Sequence, residues 1–141
     1  MSSRRKSRER ALQMLFIWDM NRNSAEQASA AYYDLIGQDA LPTPTRDDFA
    51  DSLFHGVVDA AEQFDDRIAR HAAHWKLERM AAVDRNILRM AVCELVKMDT
   101  PAPVVIDEAI ELARRFSNEE SAQFVNGVLD AIRRELNPPR P

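Results

Sequence analysis

The stretch VDRNILRMAVCELV, Val83 to Val96, decides how the rest of the chain must be arranged. Val83, Ile87, Met90 and Glu94 recur in steps of three and four, the period of an α-helix. Leu88, Val92 and Leu95 widen its apolar face beyond the single stripe of a surface helix. A helix apolar on several sides needs neighbours on several sides, so this one reads as the centre of a helical fold. The surrounding sequence agrees. All seven prolines fall at positions 42, 44, 101, 103, 138, 139 and 141, which leaves three proline-free blocks, and the chain has only three glycines. With few alternating β-branched runs, an all-α protein is expected.

Outward from the centre, Ile106, Ala109, Ala113 and Phe116 define a helix after Pro103, and Ser117 with Glu120 reads as a capping box. Val125, Val128, Leu129, Ile132 and Leu136 then carry a last helix to Pro138. On the N-terminal side, Trp75 and Leu77 begin a connecting segment. Thr45 is expected to cap one long helix with the stripe Phe49, Leu53, Val57, Ala60, Phe64, Ile68. Earlier still, a helix is expected from about Arg5 to Met20, and Ser24 with Gln27 forms a capping box for a second that stops near Gly37. No internal repeat at a solenoid period is found.

Charge is unevenly placed. The first ten residues, MSSRRKSRER, carry five cations and one acid, a side-chain charge of +4, against a formal net charge of −4 for all 141 residues. A cationic end on an acidic chain is suited to a polyanion. In contrast, residues 47 to 66 hold seven acids and no Lys or Arg, a surface nucleic acid should avoid. The start mimics a signal peptide, but Gln13 and Asp19 interrupt the apolar run and no small-residue cleavage site follows, so it reads as part of the mature protein.

Length, a hydrophobic content of 45% and a charged content of 30% fit one folded domain over residues 1–141, with 1–8 as a basic arm and 138–141 as a frayed tail. The lone Cys93 rules out an intrachain disulfide and fits a reducing cytoplasm. No apolar run approaches the roughly 20 residues of a membrane span. His55, His71, His74 and Cys93 lack zinc spacing, although His71 and His74 are one helical turn apart, and no metal is expected. Phosphate loop, nucleophile elbow and HExxH are all absent, and the pairs Asp47/Asp48 and Asp65/Asp66 read as a solvated helix face. No catalytic residues and no cofactor are expected.

The segments RRKSRERALQMLFIWD (4–19), WKLERMAAVDRNILRMAVCEL (75–95), PVVIDEAIELARRFS (103–117) and ESAQFVNGVLD (120–130), in this order, resemble the NusB family. The resemblance covers both ends of the chain and leaves about 21–70 without distinctive motifs. It implies about seven helices in two small subbundles and a non-catalytic transcription antitermination factor. Its implied partners are NusE, a small-subunit ribosomal protein, the single-stranded boxA element of nascent ribosomal RNA transcripts, and the RNA polymerase antitermination complex. Both a monomer and a homodimer are compatible with it.

By matching positions, the resemblance places Arg4, Arg5, Lys6 and Arg8 on boxA, chiefly on phosphates, with Gln13 and Asn126 as base-reading amides and Phe124 as a stacking ring. Phosphate pairing gives affinity without reading sequence, whereas an amide offers a donor and an acceptor to a base. Phe124 is alternatively core, and Gly127 is expected to permit a close backbone approach. Phe16, Asp84, Leu88 and Arg89 are implied to face NusE, with Asp84 explained equally by the dipole of its helix N-terminus. Glu120 borders the RNA in the family, though capping would explain it equally. Cys93 stands where the family usually has an aromatic residue and Asp107 where it more often has Asn. Two other readings are a NusB-like module of an RNA cytosine methyltransferase and a self-associating helical bundle.

Overall fold

The computed structural model describes residues 3–21, 24–37, 46–72 and 76–138. Among them are seven α-helices: α1 (Arg4–Asn21), α2 (Ala25–Gly37), α3 (Asp48–Asp59), α4 (Ala61–His71), α5 (Ala82–Lys97), α6 (Ala102–Phe116) and α7 (Glu119–Leu136), with a 3₁₀ turn at Leu77–Arg79 before α5. No strand occurs among the described residues. Helices α1, α2 and α3 pack on one another as one subbundle, and α4 to α7 form the other. The expected centre is α5. It touches α1, α3, α4, α6 and α7, and every residue from Asn86 to Glu94 is buried.

Local chemistry explains the boundaries. The Ser24 hydroxyl accepts from the Gln27 amide at 3.1 Å while the Gln27 side chain accepts from the Ser24 amide at 3.0 Å, so the box that opens α2 is made reciprocally. Pro103 sits in the first turn of α6, where its missing N–H costs nothing. At α7 the expected capping box is corrected. Asn118, not Ser117, is the N-cap, accepting from the Ser121 amide at 2.8 Å; Ser117 closes α6 and Glu120 faces solvent.

The long helix expected after the Pro42/Pro44 linker is in fact two. Ala60 leaves helical geometry at φ −129 and ψ 25, so α3 ends there and α4 begins, and α4 packs on α5 and α7. The stripe itself holds on both sides, with Leu53, Val57, Phe64 and Ile68 buried. Thr45 lies outside the described residues, and the N-cap of α3 is Asp47, which accepts from the Ala50 amide at 3.0 Å. Trp75, His74 and 139–141 also lie outside them.

The glycine that permits close approach is Gly56. A Cβ there would stand 2.9 Å from the Cys93 sulfur, whereas one on Gly127 would meet nothing within 4 Å, so the expectation for Gly127 is corrected. Burial pushes the Cys93 thiol up to about 11 and removes it from any surface on which copies could associate. Asp107 lies well inside α6 and is exposed.

Candidate nucleic-acid interface

The first turns of α1 lie against carboxylates supplied by the rest of the fold. Arg8 donates from Nε and Nη2 to both oxygens of Glu94 on α5, each at 2.8 Å, and Thr100 adds a bond at 3.3 Å. Arg5 grips Glu108 on α6 through two bonds of 3.0 Å, which hold the Glu108 carboxyl below its ordinary pKa. Arg10 and Ser7 donate to Asp47 at 2.8 and 2.7 Å. Glu9 lies between Lys6 and Arg115, the latter reaching across from α6.

The two signs are layered. The carboxylate side chains lie beneath, at 2% exposed for Glu94, 6% for Glu9 and Asp47 and 18% for Glu108, while Arg5, Lys6 and Arg115 are 56 to 60% exposed. An acidic chain thus shows a cationic outer layer at this end. Arg5 spends Nε and Nη2 on Glu108, which leaves Nη1 outside these two bonds on a side chain that is 60% exposed. Arg4 is exposed, its guanidinium 4.0 Å from the centre of the Phe49 ring.

Arg8 is corrected. Expected with the surface cations, it is buried, and its charge is spent on Glu94. The signal was present in the sequence. Arg8 stands at the helical spacing of Ala11, Leu12 and Leu15, which are buried, and Glu94 falls on the apolar stripe of α5. Two opposite charges, each on its helix's inner face, mark a buried pair.

Gln13 is exposed and shares a cleft between α1 and α2 with Lys6, Glu9, Arg10 and Tyr32. Phe124 lines a different cleft, with Arg79, Asp84, Asn118 and Ser121. There Phe124 is half-buried, packed on the core edge yet bordering the cleft, so neither reading of it as fully exposed or fully core holds. Asn126 is exposed on the same helix. Asp84 takes the Ser121 hydroxyl at 3.1 Å through one oxygen, and its other oxygen is buried without a partner. Burial raises its pKa, and the Ser121 bond only partly offsets this.

Of the four residues matched to a protein partner, Phe16 is exposed and Asp84 half-buried. Leu88 is fully buried and Arg89 nearly so, which corrects both as surface groups. Arg89 donates to Asp65 at 2.7 and 2.9 Å and to Asn86 at 3.0 Å. Sequence reasoning missed Met20, exposed one turn beyond Phe16. Between them Asp19 takes Arg85 at 2.6 Å, which ties the exposed end of α1 to the start of α5, while Asp84 itself lines the Phe124 cleft. Asp47 and Asp65 are likewise corrected, being ligands of Arg10 and Arg89 and not solvated acids. No described group of His, Cys, Asp and Glu is arranged for a metal ion, and no described helix is long and apolar enough to cross a membrane.

The NusB family model matches residues 5–134. The chain is 60% identical to the transcription antitermination protein NusB of Solibacter usitatus over 99% of this chain and 94% of that protein. It is 50% identical to that of Koribacter versatilis over 98% and 93%. Among solved structures it is similar to T. maritima NusB, with a TM-score of 0.80 and 36% identity over 95% of this chain and 92% of that one. It is also similar to NusB in a crystal structure of the antitermination factors NusB and NusE in complex with dsRNA, with a TM-score of 0.81 and 25% identity over 94% and 96%.

Proposed function

The chain belongs to the NusB family, and on that premise we propose that it is a non-catalytic antitermination factor that binds boxA RNA of nascent ribosomal RNA transcripts together with NusE. The observation that carries the RNA-binding part is the layering of charge at the start of α1, cations outward over buried carboxylates. Arg5 and Lys6 keep their cationic groups at the surface, and Glu9 beneath Lys6 is held by Arg115 as well, so both cations are placed to reach a phosphate while the carboxylates stay covered. Arg8 does not touch the strand in this reading. It holds the helix that presents the others.

Selectivity falls to other groups, because cations do not discriminate bases. Gln13 offers an amide beside Lys6, Asn126 a second amide, and Phe124 an aromatic edge at a cleft. NusE is assigned to Phe16, Met20 and Asp84, and the assembled pair to the RNA polymerase antitermination complex. The relatives above are antitermination proteins, which favours this reading over a module serving a methyltransferase.

Anisotropy of labelled boxA RNA against a scrambled strand of equal length, with and without NusE, tests the proposal. Tighter and more selective binding with NusE is expected. Equal affinity for both strands in the presence of NusE would contradict it.

A further inference from the structure

The α1 groups assigned to RNA line two clefts, Lys6 and Gln13 in one and Arg5 in the other, and Phe124 lines a third. We propose that Arg115 and Phe116, at the C-terminal end of α6, form an additional nucleotide-binding step between the α1 groups and Phe124, the guanidinium on a phosphate and the ring against an unpaired base. This inference rests on the RNA-binding reading above and extends it to residues outside α1 and α7.

The placement carries it. Glu9 borders the cleft of Lys6 and Gln13 and also the one containing Arg5 and Glu108, and Arg115 reaches Glu9 from α6. Asn118, three residues after Arg115, lines the Phe124 cleft. Three Cα steps span at most about 11 Å. The segment Arg115–Asn118 therefore joins the α1 cations to the α7 cleft along one short surface path.

The chemistry fits a nucleotide. Arg115 is 60% exposed although it is paired with the buried Glu9, so the rest of its guanidinium fork is presented outward. That fork lies 5.4 Å from the centre of the Phe116 ring. Phe116 ends the apolar stripe of α6 and is 37% exposed, so part of its ring faces solvent. A cation beside an exposed ring is the pairing single strands use, charge for the backbone and a flat face for a base. An ion pair alone would explain Arg115 but not the ring surface left open to solvent beside it.

The test is a salt titration of boxA RNA binding by the full chain and its variants, with thermal unfolding monitored for each. Arg115→Gln should weaken binding and lower the magnitude of the log–log salt slope by about 0.7, one phosphate's share on a single strand. Arg115→Lys should restore the slope. Phe116→Leu should weaken binding with the slope unchanged, since stacking releases no counterions. Lys6→Gln serves as reference. If Lys6→Gln loses slope and Arg115→Gln keeps wild-type slope and affinity, the step is overturned and the RNA-binding reading stands. Should the wild-type chain fail to bind RNA with or without NusE, both fall. If Arg115→Gln impairs NusE association and leaves RNA affinity alone, the patch belongs to a protein and the inference is overturned.

Discussion

Arg8 and Glu94 put a charge pair where both helices otherwise present apolar side chains. Breaking such a pair from one side leaves the other charge buried and uncompensated, which typically costs about 3–5 kcal/mol. Replacing both partners with apolar groups of similar size costs far less. Arg8→Met alone should therefore lower unfolding stability by about 3 kcal/mol, and Arg8→Met with Glu94→Leu should recover most of it. Urea unfolding of the two variants checks this. Equal losses in both would show that the pair is not the reason Arg8 is buried.

Glycines make the second residue-scale contrast. Gly127→Ala adds a methyl group in open space inside α7 and should stabilise by about 0.5–1 kcal/mol through helix propensity. Gly56→Ala drives a methyl into Cys93 and should destabilise by about 1–3 kcal/mol. In a Cys93→Ala background the Gly56→Ala change should turn neutral or stabilising, measurable by thermal unfolding. The sequence shows both residues as glycine within a helical period. Only the neighbour across the packing interface separates them, and that neighbour is 37 positions away in the chain.

At the scale of elements, local signals were legible and slipped where two of them overlapped. The Ser24 box was readable because its partners are three residues apart on one strand of sequence. Ser117–Glu120 and Asn118–Ser121 are templates offset by a single position, and the tighter cap won. The break at Ala60 carries no Gly or Pro, and an apolar stripe continues through it, so periodicity alone could not find it. Asp47 shows why the cap of α3 moved. Besides the Ala50 amide it takes Ser7 and Arg10 of α1, which ties the helix start to the basic turns.

Burial works against the charge of Asp47, but the Ala50 amide, the Ser7 hydroxyl and the Arg10 guanidinium together outweigh it and hold the carboxyl below the usual value. A depressed carboxylate contributes stability above its unfolded pKa and loses it as pH falls through the folded one. Asp47→Ala should cost about 1–2 kcal/mol near neutral pH, with the difference from wild type shrinking as pH drops below about 4. Chemical unfolding at pH 7 and in this acid range checks the sign. Asp84 behaves oppositely. Its raised pKa makes its charged form a cost to the fold, so Asp84→Asn should be tolerated better near neutral pH than Asp47→Ala.

Across the whole molecule, the central place of α5 followed from its many-sided apolar face, and the family from motifs at both ends of the chain. The interface was legible only as composition. Counting letters gave a surplus of cations at one end but could not say which of them point outward, because the answer depends on carboxylates from α3, α5 and α6 that reach α1 only in the fold. The layering that results lets a chain with a net charge of −4 present a cationic face whose Arg5 and Lys6 are paired with carboxylates.

That face is the central claim, and the salt dependence of boxA binding tests it most directly. With Arg8 buried and Arg10 half-buried on Asp47, three of the five N-terminal cations remain outward, Arg4, Arg5 and Lys6. Replacing all three with Gln should weaken binding, lower the magnitude of the log–log salt slope by about 2, and leave the unfolding transition close to that of the wild type. A triple variant with wild-type affinity and slope would contradict the account.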